Sequence, residues 1–125
     1  MKNKNDITIL LAEDDDHISR LVEYILMTKG FVVVAVKNGQ DAIDMISSRS
    51  FSLVILDIMM PVKDGFSVLR FIRESDKYNH LPVLMLTAKG QQKDMASAAR
   101  FGATKYLTKP FDPDELVDTV NDILG

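Results

Sequence analysis

The chain of 125 residues predicts an α/β fold, a doubly wound five-stranded parallel sheet of (βα)5 type. Three observations predict it. Short apolar runs alternate with segments of helical period from end to end, the pattern of strand–helix–strand units with right-handed crossovers. The strand runs are near-continuously apolar instead of alternating, as strands buried on both faces are. The length, with 46% hydrophobic and 26% charged residues, matches one domain with a real core.

Residues 7–12 are short, apolar and β-rich, a buried strand. In 17–29 the side chains Ile18, Leu21, Val22, Ile25 and Leu26 recur at helical spacing and form one face, and Gly30 fits the C′ stop. Residues 31–36 give the second strand. Asn38-Gly39 is a turn signal, after which 40–48 makes a short helix burying Ala42, Ile43 and Ile46. The third strand is 53–57. A helix over 65–74 turns Leu69 and Ile72 inward. The fourth strand is 82–87, a helix over 91–101 stops near Gly102, and the fifth strand is 104–108. The last helix has the clearest start: Asp112 as N-cap, Pro113 at N1 and Glu115 at N3 compose a capping box. Leu116, Val117, Val120, Ile123 and Leu124 then line one face. The expected strand order is 2-1-3-4-5, the flavodoxin-like arrangement. No repeat, low-complexity tract or linker breaks the sequence, so 1–125 reads as a single domain, with 1–5 a flexible start and no output domain.

Composition removes several classes of function. Without cysteine there is no disulfide framework, thiolate zinc site or cysteine nucleophile. Fifteen basic against 18 acidic residues give a net charge of −3 and a pI near 5.3, with no basic stripe for nucleic acid. The longest apolar run, 31–36, is too short for a membrane span or a signal-peptide core. The expectation is a soluble cytoplasmic domain that binds neither nucleic acid nor membrane directly.

Sheets of this kind bind ligands beyond the carboxyl ends of their strands. The first strand runs into Glu13-Asp14-Asp15-Asp16, the third ends at Asp57, the fourth at Thr87, and the fifth runs out at Lys109 before Pro110. Topology brings these distant residues to one edge. Two carboxylates about 4 Å apart repel by about 4 kcal/mol at an effective dielectric near 20, so such a cluster protonates or binds a cation. Oxygen-only ligands at a shallow edge suit Mg²⁺; no loop has EF-hand spacing for Ca²⁺. Asp57 can then act as a nucleophile toward phosphorus, with Mg²⁺ on one side, Lys109 on the other and the Thr87 hydroxyl between. The blander reading makes Asp15 and Asp16 a solvated turn, with Asp16 as N-cap. Taken singly, Thr87 is an ordinary β-branched strand residue and Tyr106 a half-buried sheet aromatic. His17 and His80 are isolated.

The stretches ILLAEDD, LVILDIMMPVKDG, VLMLTA and ATKYLTKPF carry a resemblance over essentially the whole chain. The sequence resembles the receiver domain of bacterial two-component response regulators. The resemblance implies that Asp57 accepts a phosphoryl group from the histidine of a sensor kinase or phosphotransfer protein. It implies Mg²⁺ bound by Asp14, Asp57 and the backbone carbonyl of Met59, with Glu13 assisting through water. Lys109 and Thr87 contact the phosphoryl oxygens, and a cis Lys109–Pro110 bond aims the Lys109 side chain into the pocket. The resemblance further implies that Thr87 moves toward the phosphoryl group, that Tyr106 turns inward, and that the face made by the fourth helix, fifth strand and fifth helix changes its preference for a downstream partner. A homodimer on phosphorylation stays open, but Lys105 stands where an acidic residue usually precedes the switch aromatic. The last helix carries Asp118 and Asp122 and no Arg, against the ion-paired mode of dimerisation.

Two rivals stand beside this reading, one with an Asp nucleophile at a strand end and one with the same topology. A phosphatase of the haloacid dehalogenase kind needs a second Asp two residues after the nucleophile, where this chain has Met59, so a turnover enzyme is not expected. A carrier of FMN needs a first loop that welcomes phosphate, and residues 13–16 would repel one.

Overall fold

A computed structural model describes residues 6–88, 96 and 100–125. It shows β1 (Thr8–Ala12), α1 (Asp16–Thr28), β2 (Val32–Val36), α2 (Gly39–Ser48), β3 (Leu53–Asp57), α3 (Gly65–Glu74), β4 (Val83–Ala88), β5 (Lys105–Lys109) and α4 (Pro113–Leu124). The strands form one parallel sheet in the order β2-β1-β3-β4-β5, as the sequence predicts. The helix expected over 91–101 falls mostly outside the described residues, as does the expected flexible start at 1–5.

Each central strand divides its side chains between the two faces with period two. Ile9 and Leu11, Leu53 and Ile55, Leu84 and Leu86 meet Val22 and Leu26 of α1 and Leu116 and Val120 of α4. Leu10 and Ala12, Val54 and Leu56, Val83 and Met85 meet Ala42 and Ile46 of α2 and Val68, Leu69 and Ile72 of α3. Two-sided burial therefore holds for β1, β3 and β4. It does not hold at the edges: β2 leaves Val32 exposed, and β5 leaves Lys105 and Tyr106 exposed, because an edge strand has a neighbour on one side only. Leu21 is likewise corrected: it is 48% exposed, lying about 100° around the helix from Val22 and so outside the buried stripe.

Helix starts fix where each strand end points. Asp15, not Asp16, is the N-cap of α1; its Oδ1 accepts from the amides of His17 (2.9 Å) and Ile18 (3.1 Å). One residue earlier is the better cap because the cap side chain must reach amides two and three positions on. Asn38 caps α2, Asp64 caps α3, and Asp112 with Glu115 closes the predicted capping box on α4. Gly30 holds φ at 92° at the predicted stop of α1, a conformation that favours glycine.

Candidate functional site

Ala12 ends β1 and Asp15 caps α1, so Glu13 and Asp14 are fixed between two rigid elements. The Glu13 amide donates to Val36 O (3.1 Å), continuing the sheet one residue beyond the strand. Ala12 pairs with Leu56, which places the next residues, Glu13 and Asp57, side by side. One oxygen from each of Glu13, Asp14 and Asp57 lies within 4.8 Å of the others. Glu13 and Asp57 are buried, whereas Asp14 is exposed. Lys109, at the end of β5, reaches across β4: its Nζ is 2.6 Å from Glu13 Oε1 and 3.2 Å from Asp57 Oδ1. The Lys109–Pro110 bond is cis.

Burial is the main force on Asp57 and raises its pKa; the hydrogen bond with Glu13 and the charge of Glu13 raise it further. Lys109 offsets only part of this, and Asp57 is pushed up to about 7. For Lys109 burial pulls the pKa down, but Glu13 and Asp57 together outweigh it and the ammonium is stabilised. One cation among three carboxylates leaves excess negative charge in a confined space. Its hard oxygen donors fit a divalent cation such as Mg²⁺.

The other expected residues are placed less directly. Thr87 is fully buried at the same edge, but its hydroxyl donates to that of Thr108 at 3.5 Å, and among the described residues no hydrogen bond joins it to the carboxylates. The Met59 amide points at Asp57 Oδ1 (3.4 Å), while its side chain is exposed. Tyr106 is 43% exposed and faces outward. Thr108 was not singled out by the sequence reasoning; only the register of β4 and β5, which pairs Thr87 with Thr108, could have marked it.

The loop after β3 is under backbone strain that local sequence patterns do not announce. Val62 has φ 69°, and the Lys63 amide donates to Pro61 O (2.8 Å), a γ-turn of the rare positive-φ kind. Two glycines clamp this loop. A Cβ on Gly39 would lie 2.0 Å from Lys63 O, and one on Gly65 would lie 2.4 Å from Asp57 O. Left-handed backbone costs a non-glycine residue about 1–2 kcal/mol, and glycine's extra freedom in the unfolded chain returns about 0.5–1 kcal/mol of that. Val62 is 77% exposed, so little packing is lost with its side chain. Val62→Gly is therefore expected to stabilise the protein by roughly 0.5–1 kcal/mol. Urea denaturation checks this; a lower midpoint than wild type would contradict it.

Two cavities flank the described structure. An apolar recess of about 250 Å³ lined by Ile18, Leu21, Lys109, Pro110 and Phe111 adjoins the acidic cluster. A larger one, about 430 Å³, lies at the opposite edge among Arg49, Phe51, Lys77, Tyr78 and His80. The C-terminal ends of α2 and α3 point toward that edge, and its cations answer their dipoles.

Residues 9–121 match the family described as the response regulator receiver domain. The transcriptional regulatory protein GltR of Pseudomonas aeruginosa is 39% identical over 120 residues, covering 96% of this chain and 50% of that protein. The chain spans about half the length of the curated relatives it matches. Among solved structures, the chemotaxis response regulator CheY4 of Vibrio cholerae superposes with a TM-score of 0.88 at 30% identity, covering 94% of this chain and 98% of that one. The receiver domain of the Francisella response regulator 1452 superposes with a TM-score of 0.87 at 28% identity, covering 95% and 97%.

Proposed function

Because the chain belongs to the response regulator receiver domains of two-component systems, we propose that it is a phosphorylation-dependent switch with Asp57 as the phosphoryl acceptor. The observation that carries the reading is the contact of the buried Asp57 carboxylate with Lys109 (3.2 Å) inside a cluster of further carboxylates. An Asp57 oxygen attacks the phosphorus of a phosphohistidine. The O–P bond forms as the N–P bond breaks, and the imidazole nitrogen keeps the electron pair and takes a proton from solvent. Lys109 exchanges its carboxylate contacts for the incoming phosphoryl oxygens.

Asp14, Asp57 and the Met59 carbonyl would hold Mg²⁺, which would supply charge neutralisation for those oxygens. Glu13 would act on it through water, its Oε1 bonded to Lys109 and its Oε2 accepting from the Asp15 amide (3.1 Å).

Thr87 then turns to the phosphoryl group and Tyr106 moves inward, changing the face to which β5 and α4 contribute. Moving a two-state equilibrium from 1:99 to 99:1 takes about 5.5 kcal/mol, and charge-assisted hydrogen bonds contribute about 1.5–3 kcal/mol each. Contacts from Lys109 and Thr87 are thus of the right order. The phosphodonor is a sensor histidine kinase or phosphotransfer protein, and the apolar recess beside Lys109 offers it a footing. The downstream partner is a protein or an attached output domain; GltR is a transcriptional regulatory protein. The domain works in the cytoplasm; among the described residues no helix is long and apolar enough to cross a membrane. With Met59 in place of a second acid, it is a signalling domain and not a turnover enzyme.

Incubation with Mg²⁺ and a small phosphodonor such as acetyl phosphate tests the reading. Intact-mass measurement should show one added phosphoryl group, stable in acid, labile in base, and mapped to Asp57 after reductive trapping. Labelling at another residue, or phosphate release sustained over many turnovers, would overturn it.

A further inference from the structure

We propose that Thr108 is a positioning residue of the switch: its hydroxyl retains the Thr87 hydroxyl on the β5 side until a phosphoryl group on Asp57 draws it away, a role that rests on Asp57 being the acceptor. Thr87 and Thr108 are register partners in parallel strands, so their side chains share one face of the sheet. Thr87 is fully buried and cannot turn to water. Among the described residues the one hydrogen-bond partner of its hydroxyl is Thr108 Oγ1 at 3.5 Å. That distance is well beyond the optimum for O–H···O, so the hold is weak. Weakness suits a group that must be released, because a charged phosphoryl oxygen offers a bond roughly twice as strong as a neutral one.

Thr108 also stands between the two residues that are to move. Tyr106 lies two positions earlier on β5, on the same face, opposite Met85. Release of the Thr87 hydroxyl therefore takes place on the sheet face that Tyr106 shares.

Thr108→Val keeps the β-branched shape and removes the acceptor. The buried Thr87 hydroxyl is then unpaired in the resting state but still paired at the phosphoryl group, which tilts the equilibrium toward the latter. The rate of Mg²⁺-dependent labelling by acetyl phosphate is expected to rise about two- to fivefold, and Thr108→Ser is expected to restore the wild-type rate. Thr108→Ala serves as a second hydroxyl-free variant should valine pack badly. In a Thr87→Ala background, removing the Thr108 hydroxyl should change nothing, since the two hydroxyls act as a pair. Hydroxyl-free variants that label at the wild-type rate, or whose effect persists without the Thr87 hydroxyl, would overturn the proposal. Wild type that fails to label at Asp57 would instead overturn the reading of the acceptor itself.

Discussion

Asp57→Asn is expected to abolish the acyl phosphate and, at pH 8 without divalent metal, to melt roughly 4–8 °C above wild type. Loss of labelling follows because an amide oxygen is no nucleophile toward phosphorus. The gain in stability follows from the crowding of charge. Folded Asp57 keeps its proton up to about pH 7, against an ordinary value of 3.8. Between those two values the folded protein binds more protons at this site than the unfolded chain does. Stability therefore falls as pH rises through that window, and the full penalty stands above it. Each pKa unit corresponds to about 1.4 kcal/mol. Solvent screening and the lost contact with Lys109 reduce the net gain of Asn to about 1–2 kcal/mol.

Three features of the melts separate this cause from a general improvement in packing. The difference between variant and wild type should shrink as pH drops from 7 toward 4. It should also shrink when Mg²⁺ is added, since the cation stabilises only the protein that retains the carboxylate. Salt should narrow it modestly, because the pair is buried. An Asn variant that melts at or below wild type at pH 8 would show that the cluster does not strain the fold.

The acidic cluster was legible in the sequence because parallel topology converts "last residue of a strand" into a place. Glu13 and Asp57 each close an apolar run, Lys109 closes the amphipathic strand before Pro110, and the strand order puts those ends together. The core was legible as well: the near-continuous apolar runs of β1, β3 and β4 announce burial on both faces, and the helical stripe of α1 names its buried side. What escaped was set by geometry between elements. Leu21 fits the helical period, yet it lies at the margin of the stripe. The run 31–36 is apolar, yet β2 is an edge. Thr108 gains meaning only from register with Thr87, and Val62 from a loop clamped by Gly39 and Gly65 on different helices. The contact of the Thr87 hydroxyl with Thr108 also depends on that register, whereas the resemblance implied a phosphoryl oxygen as its partner.

Arg73→Ala is expected to lower stability by about 2–4 kcal/mol, a fall of roughly 8–15 °C in Tm, while leaving the chemistry of the acidic edge in place. Arg73 lies in the last turn of α3, at the sheet edge opposite Asp57. Its Nε donates to Gly102 O (2.8 Å), its Nη1 to Asn79 O (3.1 Å) and Leu81 O (2.6 Å), and its Nη2 lies 3.4 Å from Thr104 Oγ1. Thr104 Oγ1 in turn accepts from the amide of Val83 (3.0 Å), the first residue of β4. One guanidinium thus ties the loop before β4 to the turn before β5. Burial holds its pKa below the ordinary value, and the three carbonyls answer the charge that burial penalises. Truncation leaves those carbonyls without their donor, and an acceptor left unpaired away from water costs about 1–3 kcal/mol; partial access of water here keeps the total at the lower end. Arg73→Lys should recover only part of the loss, because an ammonium cannot span three carbonyls with the planar fork of a guanidinium. Thermal melts give the first measure. Labelling by acetyl phosphate at a temperature where both proteins are folded gives the second, and it should proceed at a rate close to wild type. A variant that melts normally would remove Arg73 as the tie between β4 and β5, and one that is stable yet cannot be labelled would place it in the switch instead.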